Sequence, residues 1–455
     1  MRLLFVLLLL PFLGIAQSTN ELIISEIMAD PTPTRGLPEK EYLELYNRTD
    51  RAISLAKVKL QIGITTQIFG NYTIQPKEYI ILCERTDEAT FSKFGKTLVI
   101  NNFTLNNTGT TIALRNERNQ TVFSVSYTDK WYDPKRNGGY SLEIIDTNFP
   151  CVEEANWTSS ENQQGGTPAK ENSVKANKPD LTPPSLLRFE QPNLTTIKLI
   201  FSEKLDSTSA VSKLAYGINN GLIINQVAIE SPTNKSINLT LSQALQDNTI
   251  YQLNLKNIAD CSGNILRDAS VLLGNVKAAD SMDVVLNEVL FDPLPDGVDY
   301  VEIYNRSNKI LSLKDWSLAN IDKSGKVASI RKITTDNYIL RPKQYLVLTS
   351  NAQIVQNQYF KATKENFLEM PSLPSYPDDS GTVMIKEESR SKNETITNHP
   401  TTPKIGTRRR VQKASEHRAM SIRKVCKMQA NQTWFSESNP KFLPPMATVS
   451  MSQSS

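Results

Sequence analysis

Histidine is nearly missing from this sequence. Only two are present among 455 residues, His399 and His417, and residues 1–390 contain none. The common serine and cysteine hydrolases need a histidine as their general base. A Ser–His–Asp or Cys–His mechanism is therefore excluded from the first 390 positions.

Cysteine is scarce as well. The four are Cys83, Cys151, Cys261 and Cys426, and they form neither a CxxC pair nor a cluster with histidine. This spacing does not predict a zinc site. An oxidising compartment would allow a Cys83–Cys151 disulfide, and two buried free thiols fit the spacing equally well.

Long apolar runs are confined to the N-terminus. Met1 and Arg2 precede the apolar run 3–10, and small Ala16 is followed by polar residues. One basic residue, a short apolar stretch and a small residue at its end predict a signal peptide over residues 1–16, cleaved near Ala16. A short membrane anchor is the alternative. No later run reaches transmembrane length, so we expect a secreted or cell-surface protein without a membrane span in the mature chain.

What the sequence has in abundance is short strand-like runs. They are separated by Asn, Asp, Gly and Pro at the spacing typical of an all-β sandwich or barrel. A first unit covers 17–175, with a polar linker predicted over 170–179. A second covers 180–278 and has the size of an immunoglobulin-like sandwich.

A third unit, 283–390, repeats the first. Residues 41–49, EYLELYNRT, return as DYVEIYNRS at 299–307, and 74–79, IQPKEY, as LRPKQY at 340–345. We interpret the longer motif as one core strand in two copies of a domain. Its Tyr and Leu/Ile side chains are expected to face inward, with Glu44 and Glu302 toward the other face.

These motifs carry a family resemblance. The Tyr-x-Glu-Leu/Ile-Tyr-Asn strand, the Pro-Lys-x-Tyr turn and the Trp157 and 166–168 segments resemble the lamin tail domain, an immunoglobulin-like sandwich. Val58 replaces the usual Trp in the first copy, whereas Trp316 keeps it in the second. The middle unit resembles bacterial immunoglobulin-like domains of surface-layer type. The resemblance implies an exported, Bacteroidetes-type multi-domain protein with a binding or spacer role and no conserved active site.

The C-terminal region 391–455 does not continue this pattern. Strand alternation is lost after about residue 385 and basic residues accumulate, as in 408–410. A reading-frame error is the favoured explanation, and a genuine basic tail is the alternative. The basic stretch could contact phosphates, but a disordered tail is the preferred interpretation, so nucleic acid is not an expected partner.

Acidic and aromatic side chains are the remaining candidates for a site. Six carboxylates near the repeated strands could hold calcium, although outward-facing strand positions and turn formation explain them more simply. The aromatic side chains could stack on sugars, but core packing is favoured, with Trp157 and Trp316 as anchors and Gly109 and Gly381 in turns. The calcium candidates are Glu26, Asp30, Glu44, Glu288, Asp292 and Glu302.

The sequence thus predicts an all-β chain of three β-sandwich, immunoglobulin-like domains in series, the last incomplete. We expect no catalytic residue and no cofactor; calcium is the one alternative considered, and it is not the favoured interpretation. The predicted role is non-enzymatic, in adhesion, binding or spacing, with an unidentified protein or glycan at the cell surface as partner. The alternative is an ancillary polysaccharide- or nucleic-acid-binding module of a secreted hydrolase or nuclease system.

Overall fold

The computed structural model describes residues 19–321, 326–359, 362–376 and 382–387, and the backbone of a strand at 417–421. The predicted signal peptide 1–16, Gly381 and nearly all of the region 391–455 lie outside these residues. Within them the chain is built from strands in several sheets, which confirms the all-β prediction.

The first domain is a sandwich of a six-stranded and a four-stranded sheet. The first sheet has the order β12-β11-β1-β2-β7-β8, the second β10-β9-β4-β5, and β3 pairs with β6. The elements are β1 Leu22–Met28, β2 Tyr42–Asn47, β3 Ile53–Ser54, β4 Lys59–Ile62, β5 Thr65–Ile68, β6 Thr73–Ile74, β7 Tyr79–Glu84, α1 Glu88–Phe91, β8 Thr97–Ile100, β9 Gly109–Arg115, β10 Thr121–Thr128, β11 Leu142–Ile144 and β12 Trp157–Ser159.

The middle domain packs two antiparallel sheets over one apolar core. Their orders are β13-β14-β17-β16 and β15-β18-β19. The elements are β13 Leu186–Asn193, β14 Thr196–Phe201, α2 Ser207–Ala210, β15 Tyr216–Ile218, β16 Ile224–Ile229, β17 Ser236–Leu241, β18 Ile250–Ala259 and β19 Ile265–Gly274.

Within the described residues, the third domain repeats the first with fewer strands. Its sheets have the orders β20-β21-β26-β27 and β24-β23-β28-β29, and β22 pairs with β25. The elements are β20 Val284–Leu290, β21 Tyr300–Asn305, β22 Leu311–Ser312, β23 Trp316–Ile321, β24 Val327–Lys332, β25 Ile339–Leu340, β26 Tyr345–Thr349, α3 Ala352–Gln358, β27 Phe367–Glu369, β28 Thr382–Glu387 and β29 His417–Ser421.

The repeated strand is buried on both of its faces. In β2, Leu43 and Leu45 enter the core between the sheets, whereas Tyr42 lies on the opposite face in a smaller cluster with Phe91 of α1. Tyr300 takes the same place in β21. The prediction that Tyr and Leu/Ile share the inward face was therefore wrong for these two tyrosines, because alternation in a strand puts Tyr42 on the face of Glu44.

Residues 165–174, here called the cover segment, belong to the first domain rather than to a linker. Asn172 is buried and donates from Nδ2 to the carbonyls of Ser25, at 3.0 Å, and Ile144, at 2.8 Å. The predicted linker at 170–179 was thus wrong in its first half. This segment lies over the outer face of the six-stranded sheet.

Two kinds of bond join the first domain to the middle one. Cys151 forms a disulfide with Cys261, with 6.0 Å between the Cα atoms. Beside it, buried Glu153 pairs with Lys204 at 3.2 Å and with Lys235 at 2.6 Å, and Lys204 also donates to the carbonyl of Ser124. Cys83 is a buried free thiol, so a Cys83–Cys151 pairing is corrected to a bridge between domains.

Weaker bonds join the middle domain to the third. Asn337 donates from Nδ2 to the carbonyl of Phe189 at 3.0 Å, and the Lys277 N–H donates to the carbonyl of Ile310 at 2.9 Å. These are neutral hydrogen bonds, each worth about 1 kcal/mol. Among the described residues, the bonds that hold the second junction are therefore weaker than the disulfide and ion pairs that hold the first.

Candidate functional site

The Asn that ends each copy of the repeated motif has a structural task. Asn47 donates to the carbonyls of Arg51 and Gln75, both at 2.8 Å, and its Oδ1 accepts from Thr49. Asn305 makes the corresponding bonds, to Lys309 and Arg341, and accepts from Ser307. Both side chains are fully buried. The Asn-Arg-Thr/Ser ending thus holds two turns together.

The glutamate of the first strand is the centre of a buried carboxylate cluster. Glu26 has no exposed surface, and its Oε1 accepts three hydrogen bonds. The donors are Tyr42 Oη at 2.7 Å, Ser141 Oγ at 2.5 Å and the Thr167 N–H at 2.8 Å. Two of these donors come from residues more than a hundred positions away.

Two further glutamates complete the cluster, and both are also fully buried. Glu44 accepts from Ser25 Oγ at 2.7 Å and from the Ala169 N–H at 2.6 Å. Glu143 accepts from Thr167 Oγ1 at 2.9 Å and from Ser173 Oγ at 2.8 Å. Thr167 therefore bridges two carboxylates, with its amide on one and its hydroxyl on the other.

The cover segment approaches the cluster so closely that one position requires glycine. A Cβ on Gly166 would lie 2.5 Å from Tyr42 Oη and 2.6 Å from Glu26 Oε1. A side chain at this position would push the segment away from the sheet. Glycine is therefore what lets the backbone of the segment reach the carboxylates.

Burial changes the acidity of the cluster. Burial, followed by the charge of Glu143, raises the pKa of Glu26 to about 7. Burial and the charge of Glu26 raise the pKa of Glu44 well above its usual range. Because desolvation disfavours the charged form, the cluster holds protons at pH values where exposed glutamates are ionised.

The third domain keeps the same two strand glutamates but not their cover. Tyr300 Oη donates to Glu288 at 2.8 Å, as Tyr42 does to Glu26. Asn287 Nδ2 donates to Glu302 at 2.6 Å and replaces Ser25 at the same irregularity of the strand. In the described part of the third domain, no strand lies beyond β20 and no residue takes the place of Ser141, Thr167 or Ala169.

The calcium candidates are not brought together as one ligand set. Glu26 and Glu44 are occupied by hydrogen bonds, Asp30 Oδ1 accepts from the Thr32 hydroxyl at 3.0 Å in a turn, and Asp292 is exposed. The expectation that the strand carboxylates face outward is corrected for Glu26, Glu44 and Glu302, which are buried. They are buried because each sheet also carries structure on its outer face.

A different acidic group was missed by the sequence analysis. Carboxylate oxygens of Asp180, Glu203 and Asp260 lie within 4.8 Å of one another in the middle domain. Asp260 Oδ1 already accepts from the Ser262 and Asn264 N–H groups, both at 2.8 Å. Burial, then Asp180 and Asp260, raises the pKa of Glu203 to about 7. Oxygen ligands suit a hard cation, but three positions far apart in sequence give no local signal of this group.

The aromatic side chains divide into core and surface. Trp157 and Trp316 are buried, as predicted, in the cores of the first and third domains. Half-buried tyrosines stack in pairs at 4.3 Å on the outer faces, and these pairs are Tyr46–Tyr79 and Tyr304–Tyr345. Both stacked pairs therefore remain partly accessible.

None of the helices within the described ranges has the length and apolar composition that crossing a membrane requires. A comparison with curated proteins finds no match.

Solved structures give only distant likenesses. The N-terminal part of the bacterial S-layer protein SbsC matches at 17% identity over 35% of this chain and 44% of that chain, with a TM-score of 0.19. Latent PorU from Porphyromonas gingivalis matches at 10% identity over 82% of this chain and 33% of that chain, with a TM-score of 0.17. This chain thus spans less than half of each of these two proteins, and likenesses at this level carry no functional argument.

Family models match the three domains directly. The lamin tail domain matches residues 15–129 and again 277–399, and a bacterial Ig-like domain matches 161–272. These are structural domain families rather than families of enzymes. Together with the duplicated strand order and the repeated Tyr–Glu contact, these matches show that the chain belongs to the lamin tail domain family, with two copies flanking a bacterial immunoglobulin-like domain.

Proposed function

We propose that this chain is an exported, non-catalytic protein that acts at the cell surface or beyond it as a binding, adhesive or spacing element. The Cys151–Cys261 bridge is the observation that carries this proposal. Structural disulfides form and persist in oxidising compartments and are rare where thiols are kept reduced. The predicted signal peptide supports the same location.

The buried carboxylates support a passive role. Glu26, Glu44 and Glu143 accept hydrogen bonds from the domain that contains them and have no exposed surface. A general acid or base must be able to reach the proton that it transfers to a substrate. Raised pKa values in this cluster therefore reflect burial under the cover segment rather than preparation for catalysis.

The first junction supports a spacing role. A disulfide and two ion pairs on Glu153 fix the first domain against the middle one. Burial opposes ionisation of Glu153, but the charges of Lys204 and Lys235 lower its pKa, so that the carboxylate stays charged. A fixed junction lets the two sandwiches act as one body that holds a binding surface away from its attachment.

One experiment tests both whether the chain lies outside the cell and whether the Cys151–Cys261 disulfide is formed. Intact cells producing the chain are treated with a protease that cannot enter them, and the released peptides are mapped without reduction. We expect peptides from the middle domain, with Cys151 linked to Cys261. A chain that is protected until lysis and carries both cysteines as thiols would overturn the proposal.

Binding experiments with the purified chain distinguish the kinds of partner. The purified chain is incubated with surface glycans and with DNA at two salt concentrations. Retention on glycans or on surface protein supports the adhesive role. DNA binding that weakens steeply with salt would instead indicate phosphate contacts and favour the ancillary nucleic-acid-binding alternative.

A further inference from the structure

We propose that the outer edge of β20 and the adjacent glutamates of the third domain form a docking site for an extended segment of a partner polypeptide. The segment pairs with β20 as an added strand and then presents a hydroxyl and a backbone N–H to Glu288. This inference deepens the proposed binding role and rests on it. Strand addition to a free sheet edge is a common mode of peptide recognition.

The first domain shows what such a site holds when it is filled. There β11 pairs with β1, with Leu142 opposite Ile27 and Glu143 opposite Glu26. Ser141 precedes this strand and donates to Glu26, and the cover segment then donates through Thr167. Strand and cover together bury the edge and the carboxylates.

The third domain offers the same edge in the same register. Glu288 lies opposite Glu302 and Val289 opposite Val301, as Glu26 lies opposite Glu44 and Ile27 opposite Leu43. Yet β20 is the last strand of its sheet in the described part of the chain. An unpaired strand edge is a template for another strand.

The carboxylates indicate the chemistry of the occupant. Among the described residues, Glu26 Oε1 accepts from three donors, whereas Glu288 accepts from one, Tyr300. Burial raises the pKa of Glu288, and burial raises that of Glu302 to about 7. Glu288 is half-buried and accepts from one donor among the described residues, so it favours a ligand carrying uncharged N–H and O–H groups over another anion.

The accessible face beside the edge is partly apolar. Val285 and the stacked Tyr304–Tyr345 pair are half-buried, and Val347 lies between them and α3. Side chains of an added segment could pack on this face as the cover segment packs on the first sheet, where Ala169 contacts the small outer cluster. In a second molecule of this chain, residues 139–174 already fill its own first domain, so that segment is not available to dock here.

The experiment uses the full chain and a synthetic peptide of residues 139–176 with Cys151→Ser. The peptide carries a fluorophore, and its binding is followed by anisotropy. Amide hydrogen exchange of β20 is measured with and without it. We expect saturable binding in the micromolar range and at least tenfold slower exchange of amides in 284–290. A control peptide with Ser141→Ala and Thr167→Pro lacks the two donors and should bind at least tenfold more weakly.

Matched variants of the chain locate the binding. Glu288→Ala should weaken binding about tenfold, whereas Glu365→Ala, at an exposed position of the same domain, should leave it unchanged. Unaltered exchange in β26 would show that the Glu288→Ala variant is folded. Equal binding by both variants, or protection by the peptide at another site, would overturn the inference.

Two further outcomes are decisive. If the β20 amides of the free chain already exchange as slowly as those of β1, the chain itself fills the edge and the inference is wrong. Absence of saturation at millimolar peptide would also overturn it. Neither result contradicts the proposed function if the chain is also cleaved by protease on intact cells. A failure of the docking site can therefore be distinguished from a failure of the proposed function.

Discussion

The two lamin tail copies share a sheet and differ in what covers it. Both keep the strand irregularity before the first glutamate, the Tyr–Glu hydrogen bond and the buried Asn at the end of the second strand. Only the first has β11, β12 and the cover segment among its described residues. The comparison separates what the sandwich needs to form from what closes its outer face.

The difference teaches that the glutamates do not by themselves define a site. In the first copy both glutamates accept hydrogen bonds from the cover segment, whereas in the second Glu288 lies on β20, which is the last strand of its sheet in the described part of the chain. The same pair thus lies closed inside the first copy, whereas in the second copy we propose that Glu288 takes part in recognition. Their role depends on which donors the rest of the chain brings to them.

Among the changes considered, removal of the disulfide should lower stability most, and it should affect the first lamin tail copy but not the second. Cys151→Ser or Cys261→Ser opens a link between positions 110 residues apart, worth about 4–5 kcal/mol in the chain-entropy model. Calorimetry should show lower melting temperatures for the first and middle domains, with the third unchanged. Equal decreases in melting temperature in all three domains would show that the two lamin tail copies do not unfold independently.

Loss of Lys204 tests the first junction against the second. Lys204→Met leaves Glu153 with Lys235 and the Ser126 N–H as partners, and breaking a buried ion pair costs about 3 kcal/mol. Asn337→Ala removes one neutral hydrogen bond, worth about 1 kcal/mol. Denaturation followed by domain-resolved hydrogen exchange should rank the variants in this order, and the reverse ranking would show that the second junction is the stronger.

The paired asparagines should behave alike. Asn47→Ala and Asn305→Ala each remove bonds to backbone carbonyls of two turns and leave buried acceptors without donors, at a cost of about 2–3 kcal/mol. Urea unfolding monitored per domain should give similar losses in the two copies. A much larger loss in the third domain would mean that it depends more on this turn, since no strand lies beyond β20 in its described part.

Acidity gives the most selective effect, because its size per pH unit is small and it acts through single glutamates. The folded pKa of Glu26 is about 7 against an ordinary value of 4.5, so between these values the folded state binds more protons than the unfolded state. The free energy of unfolding therefore falls as pH rises through this window, by at most about 1.4 kcal/mol per pH unit for one proton. Glu26→Gln should flatten this slope in the first domain, measured as melting temperature between pH 4.5 and 7.5.

Glu302→Gln is the counterpart in the third domain. Burial also raises the pKa of Glu302 to about 7, so the same sign applies. If the first domain alone responds to pH, the third domain's glutamates are better solvated than their burial indicates. The two slopes therefore measure how closed each outer face is in solution.

The repeat and the strand succession were predictable because they are local patterns. The motif at 41–49 alternates with period two and ends in turn residues, and both copies form the predicted strand. The burial of Glu44 was not predictable from that pattern. Alternation shows that Glu44 faces away from Leu43 and Leu45, but the segment that covers that face lies more than 120 positions later.

Long-range pairing also explains the other corrections. Cys151 bonds to a cysteine of the next domain, and no spacing rule within one domain could show that partner. The acidic group of the middle domain joins residues from three separate loops, 180, 203 and 260. The proposed origin of the region after 391 as a frame error stays a prediction, since it lies outside the described residues.

The bridging threonine of the cover segment sets an order of events during synthesis. Thr167 bonds to Glu26 across 141 positions, and Asn172 to Ser25 across 147. These hydrogen bonds of the first strand can therefore form only after the last residues of the domain have been synthesised. Contacts this distant in sequence also form slowly. If the chain is exported as we propose, threading it N-terminus first through a membrane would bring it to the far side with this sheet still unfinished, so that folding would follow its passage.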